Sequence, residues 1–285
     1  MRFLFLTDTH IGAGPADFHQ QPAYPDRLEE LLDEIKSLAR AGHVDFVLHG
    51  GDMVHQCTPE LISEAKRLFH LPVPVYLSQG NHDLNRQDAV SLWLKLAPEF
   101  FPGQKPQYTI YDKIAALHVM PSQWEPGVPY YWDTAQDPYL TEEQLSQLEA
   151  EIRLHPDKVH LLSVHNPVFG IPKEQTGYEE TIHDVPDPFR QIVLGRMRAH
   201  NMKCVLSGHN HANTLKQTYE GVFATGSSFV ETPFDYKIVE VSGSSLRIST
   251  RSVDGPFSFT PEYDETRTYI QGSESIRTLE WTFRS

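Results

Sequence analysis

Seven residues of this chain stand out as candidate metal ligands: Asp8, His10, Asp52, Asn81, His165, His209 and His211. All offer oxygen or imidazole nitrogen, and no thiolate is among them. A mixed set of this kind suits Mn, Fe or Zn. The most telling stretch is Val47-Leu48-His49-Gly50-Gly51-Asp52, where an apolar run stops at two glycines and a carboxylate follows. Glycine turns where a Cβ would clash, so Asp52 can be thrown out at a strand end. A carboxylate carries two oxygens with several lone pairs, so Asp52 can bridge two cations. Singly, these residues have bland readings. Asn81 or Asp83 can cap a helix, Asp8 can be a turn residue, and His209 and His211 can be ordinary loop histidines. Seven together, each just beyond an apolar run, carry more weight than any one motif.

Elements that could position them are legible in the pattern. Short apolar strands are expected at 3–6, 44–48, 73–77, 159–164 and 203–206. Their ends carry Asp8-Thr9-His10, Asp52, Gly80-Asn81-His82-Asp83, His165-Asn166-Pro167 and Gly208-His209-Asn210-His211. Helices are expected over 26–41, 59–69, 87–97, 141–154 and 187–200, with Thr141 and Gln144 forming a capping pair. Alternating strands and helices imply parallel pairing with right-handed crossovers. Open sheets of that kind bind ligands at the carboxyl ends of their strands. Residues 108–111 and 114–119 read as a hairpin. Residues 214–219, 222–225, 236–241 and 246–253 read as antiparallel strands, and 276–283 as one more. With no repeat and no linker, 1–285 is expected to form a single domain, with its core in 1–253 and a C-terminal extension, 254–285.

Composition narrows the function. The 285 residues carry 38 acids against 24 basic residues, a formal charge of −14. Such a surface repels a long polyanion, so no extended nucleic-acid partner is expected. A small anionic substrate remains open if metals reverse the local field. The two cysteines, Cys57 and Cys204, form no disulfide framework, and a cytoplasmic location is expected. The N-terminal apolar run is too short for a membrane span.

In these motifs and their order the chain resembles the calcineurin-like metallophosphoesterases. It is most similar to their bacterial cyclic-nucleotide and glycerophosphodiester phosphodiesterase branch. The resemblance implies two stacked mixed β-sheets flanked by helices, a four-layer α/β sandwich. It implies one metal on Asp8, His10, Asp52 and His211, and a second on Asp52, Asn81, His165 and His209. One departure is Asn166, where many members of that branch carry a second histidine.

The expected activity is hydrolysis of a small phosphodiester by a hydroxide shared between two cations. His82, the motif histidine left without a metal, is the candidate proton donor to the leaving group, and Asp83 the candidate to orient its ring. Phosphomonoesterase and nuclease activities are the enzymatic alternatives. A non-catalytic metal-binding scaffold is the alternative of another class. His49, His55 and His19 are weaker candidates for support or substrate contact. The aromatic segment 120–139 can roof the pocket and stack a base, or simply cover the core.

Overall fold

The structure is a computed structural model; it describes residues 1–124 and 137–283, and only the backbone of Arg267 and Thr268. Twelve strands form two mixed sheets of six. The first sheet takes β1 (Arg2–Leu6), β2 (Phe46–His49), β3 (Val75–Leu77), β10 (Asp235–Val241), β11 (Ser245–Ser252) and β12 (Thr278–Thr282). The second takes β4 (Tyr108–Tyr111), β5 (Ala115–Val119), β6 (Val159–Ser163), β7 (Cys204–Ser207), β8 (Thr214–Gln217) and β9 (Val222–Thr225). The helices are α1 (Leu28–Arg40), α2 (Pro59–Leu68), α3 (Ala89–Leu96), α4 (Glu142–Leu154), the short α5 (Lys173–Thr176) and α6 (Asp187–His200).

Strand periodicity explains the layering. Successive side chains on a strand point to opposite faces. Thus Cys204 and Leu206 of β7 join the main core with Phe3, Phe5, Val47 and Leu117. Val205 between them joins a second core with Leu148 and Ile152 of α4 and Val193 and Met197 of α6. The first sheet is covered by α1 through Leu28, Leu31, Leu32 and Ile35, spaced to fall on one helix face. Thr141 caps α4 by accepting from the Gln144 N–H, and the Gln144 side chain accepts in return from the Thr141 N–H.

Strands β1, β2 and β3 lie side by side and parallel, as do β5, β6 and β7. The expected antiparallel pairing of 222–225 holds on one side only. Strand β9 is antiparallel to β8 but parallel to β7. All four residues of β9 are buried, whereas β8 exposes Lys216 and Gln217. The apolar strand therefore takes the interior place and the polar one the edge. In the expected extension, β12 pairs with β11 at the edge of the first sheet, and Phe257 and Phe259 pack on the core. Tyr130, Tyr131 and Trp132 of the aromatic segment lie outside the described residues; Trp124 is half-buried against the core.

Candidate metal centre

All seven expected metal-binding residues follow strands, and the folded chain brings them to one rim. Asp8 and His10 follow β1, Asp52 follows β2 and Asn81 follows β3. His165 follows β6; His209 and His211 follow β7. The loops are laced together by backbone bonds. Asp8 and His10 donate N–H groups to the carbonyls of Gly51 and Asp52, at 2.9 and 3.0 Å. Gly208 N–H reaches the carbonyl of His165 at 2.9 Å. The two sheets meet where His209 N–H donates to the Asp8 carboxylate at 3.1 Å.

Side-chain distances are short. His165 Nε2 lies 3.1 Å from Asp52 Oδ2, and His211 Nε2 lies 3.5 Å from Asp8 Oδ1. His10 Nε2 is 3.9 Å from both Asp8 Oδ1 and Asp52 Oδ2. His209 Nδ1 donates to Asn81 Oδ1 at 3.0 Å. Asp8, His10 and His211 bring one ligand atom each within 4.8 Å of one another, and Asp52, His165 and His209 do the same. Backbone strain gathers here as well. Asp8, His10, Asp52, His209 and His211 all have φ between 43° and 73°. Non-glycine residues adopt that left-handed region at a cost of about 1 kcal/mol or more each.

Electrostatics follow from stacking acids and imidazoles out of water. Burial opposes ionisation of Asp8, but His211 and His165 hold its carboxyl at about 2. Burial disfavours charge on His165 too, yet Asp52 and Asp8 raise it to about 9. His209, desolvated and beside His165, falls to about 3.

The family model for calcineurin-like phosphoesterases matches residues 1–213. The chain belongs to the calcineurin-like phosphoesterases. It is 23% identical over 263 residues to the DNA double-strand break repair protein Mre11 of Methanosarcina acetivorans, a match covering 89% of this chain but 39% of that one. It thus spans well under half the length of that relative. A dimetal phosphatase from Danio rerio shares the fold with a TM-score of 0.69 at 15% identity, 99% of each chain being covered. The purple acid phosphatase PPD1 of yellow lupin aligns with a TM-score of 0.54 at 13% identity, over 90% of this chain and 52% of that one.

Calcineurin-like phosphoesterases depend on a dinuclear metal centre, and the residues present fit one. His10 Nδ1 is buried without a hydrogen-bond partner, and the buried His165 Nε2 lies 3.1 Å from Asp52 Oδ2. Two glycines leave room. A Cβ on Gly51 would sit 2.3 Å from His165 Nδ1, and one on Gly80 would sit 2.3 Å from Asp52 Oδ1.

The expectation that Asp83 orients His82 needs correction. Asp83 is wholly buried and accepts from the N–H groups of Met53, Val54 and Gly80 at 3.0–3.2 Å. His82 Nδ1 instead donates to the carbonyl of His55 at 2.8 Å. Adjacent residues in a helical turn point in different directions, so neighbours in sequence do not meet here. Burial and the charge of Asp52 push the Asp83 carboxyl up to about 7, against the pull of its backbone donors.

His49, only a weaker candidate for support in the sequence, has a readable tautomer. Thr9 Oγ1 donates to the Met53 carbonyl, so His49 Nε2 donates to Thr9 while Nδ1 accepts from Gly51 N–H. Glu231 escaped sequence reasoning. It is 1% exposed and accepts from His211 Nδ1 at 2.7 Å and from Gln21 N–H at 3.0 Å. Its one signal is a charge inside the apolar run Phe229–Phe234. His183, also unmarked by any motif, joins His19, His55 and Phe18 around a pocket of about 510 Å³ over the centre.

Proposed function

We propose that this calcineurin-like phosphoesterase hydrolyses a phosphodiester of a small molecule, a cyclic nucleotide or a glycerophosphodiester. The observation that carries the reading is the pocket itself. Its volume of about 510 Å³ suits a small ligand. Among the described residues, those lining it include seven histidines and no lysine or arginine. A nucleic-acid groove needs a run of cationic side chains for successive phosphates. Imidazoles, which can both donate and accept hydrogen bonds, suit the hydroxyls of a small leaving group better.

In this reading Asp8, His10, Asp52 and His211 hold one divalent ion, and Asp52, Asn81, His165 and His209 the other. Bound there, the pair supplies positive charge against the phosphoryl oxygens and acidifies water enough for attack near neutral pH. Glu231 keeps the Nδ1 proton of His211, which leaves Nε2 to face the centre. Asp83 fixes the backbone of two loops at once, and so the spacing between Asp52 and Asn81. His82 hands a proton to the departing alkoxide. Its Nδ1–H is committed to the His55 carbonyl, so Nε2 is the donor atom.

The likeness to Mre11 favours nuclease activity as the second reading, and one assay separates them. Purified protein is tested with Mn, Fe(II) and Zn on cyclic nucleotides, glycerophosphodiesters, phosphomonoesters and single-stranded DNA. The expected result is highest kcat/KM on a small diester. Preference for DNA at physiological salt overturns it.

A further inference from the structure

We propose that a cavity on the helix-covered face of the second sheet is a further ligand site, built for a small monocarboxylate with an apolar body. The cavity measures about 550 Å³, a size suited to a small molecule. Among the described residues, none that line it also line the pocket over the dinuclear centre. One wall is the sheet itself, at β7, β9 and β8; the other is the segment 168–184 after β6, with Arg190 of α6.

The sheet wall carries an ordered set of donors. Ser207 on β7 stands opposite Thr225 on β9, and Thr225 stands opposite Thr214 on β8. Cross-strand partners share a face, so three hydroxyls stand in a row. These residues are 3–8% exposed, yet their hydroxyls have no hydrogen-bond partner among the described residues. They are open to a ligand that accepts from them. Two residues along β8, on the same face, Lys216 stands opposite Phe223. Its ammonium lies 3.9 Å from the centroid of the Phe169 ring and pairs with no carboxylate among the described residues. Phe169 and Phe223 meet edge to face with centroids 4.9 Å apart, an aromatic corner for an apolar body.

Charge then sets the ligand. Arg190 is committed to Asp184 and Asp187, so Lys216 is the one unpaired cation lining the cavity among the described residues. A single ammonium matches the single charge of a carboxylate and leaves a phosphate dianion half unmet. Glu174, exposed on the other wall, also disfavours a second negative charge. The walls are held together without a ligand. Ile171 and Ile182 exchange backbone bonds of 2.9 and 3.2 Å. Gln175 ties the segment to the approach to β8 by donating to the Asn213 carbonyl at 2.8 Å, and to that of Tyr269 at 2.6 Å. A cavity formed in advance loses little to ordering when it binds.

The test uses the full chain loaded with zinc and four probes of similar size: benzoate, benzyl alcohol, benzylammonium and phenylphosphonate. Binding is followed by amide chemical shifts in wild type, Lys216→Gln and Lys216→Glu, with unfolding curves to establish that the variants fold. Benzoate is expected to shift the amides of Gly170, Lys216 and Ala224 and to bind at least fivefold more tightly than the other probes. Lys216→Gln weakens benzoate at least fivefold and Lys216→Glu weakens it further, while benzyl alcohol stays within twofold. A carboxylate can also reach a metal ion, so the titration is repeated after chelation. A cavity response that survives chelation supports the site independently of the dinuclear reading. Shifts confined to the loops of Asp8, Asp52 and His211, lost with the metal and indifferent to Lys216, overturn it. So does the absence of saturable shifts at the cavity, or a cavity that takes phenylphosphonate or benzyl alcohol as tightly as benzoate.

Discussion

His211 illustrates how much a single side chain depends on what lies behind it. Its imidazole is held by a buried carboxylate, Glu231, that has no freedom to leave, because it also accepts from Gln21 N–H. Glu231→Gln keeps the shape and weakens the grip; Glu231→Ala removes it. Loss of such a partner typically lowers metal affinity 10- to 100-fold. Titration with a metal indicator is therefore expected to rank wild type above Gln above Ala. Equal affinities would mean that Glu231 only fills space. His82→Ala is expected to lower kcat about 10²- to 10⁴-fold on a diester with a poor leaving group, with metal content unchanged. Unchanged kcat would remove the proton-donor role. At this scale the seven candidate ligands were legible because each stands directly after an apolar strand. Glu231 and His183 were not, because burial and loop closure selected them and no spacing announces either.

Strands and turns decide whether these residues meet at all. Asp83 shows the principle: one carboxylate satisfies three backbone N–H groups from the turns after β2 and β3. Asp83→Ala strands those donors in a buried place. The cost is about 1–3 kcal/mol for each buried polar group left unsatisfied, so a loss of about 3 kcal/mol or more is expected in urea unfolding. A loss below about 1 kcal/mol would show that the turns hold without it. Sequence reasoning named Asp83 but gave it the wrong partner. Proximity in sequence suggested His82, while the helical turn sends the two side chains apart. Element order was largely readable from apolar runs and the cap at Thr141. The placement of β9 was not, since a turn signal tells which strands are joined and not which strand is inserted beside β7.

Across the whole molecule, a buried polar cluster ties the chain's last described strand to the loop behind His211. Asn213 bonds Asp235 and Lys237, and Arg277, just before β12, makes two 2.9 Å bonds to Asp235. Lys237 is 1% exposed, and burial pushes its ammonium down to about 7 against the pull of Asp235. An unfolded lysine titrates near 10.4. Between pH 7 and 10 the unfolded chain thus binds more protons, so this residue makes stability rise with pH over that window. Urea unfolding at pH 7 and 9 is expected to show a rise in wild type that is smaller in Lys237→Met. Parallel profiles would contradict it. The division of ligands between the sheets has its own outcome. Asp8, His10, Asp52 and Asn81 arrive on one sheet, His165, His209 and His211 on the other. Cations held across that seam would act as rivets. Stripping them with a chelator should quicken deuterium uptake at the amides of His165, Gly208 and His209, while the middles of β1 and β6 stay protected.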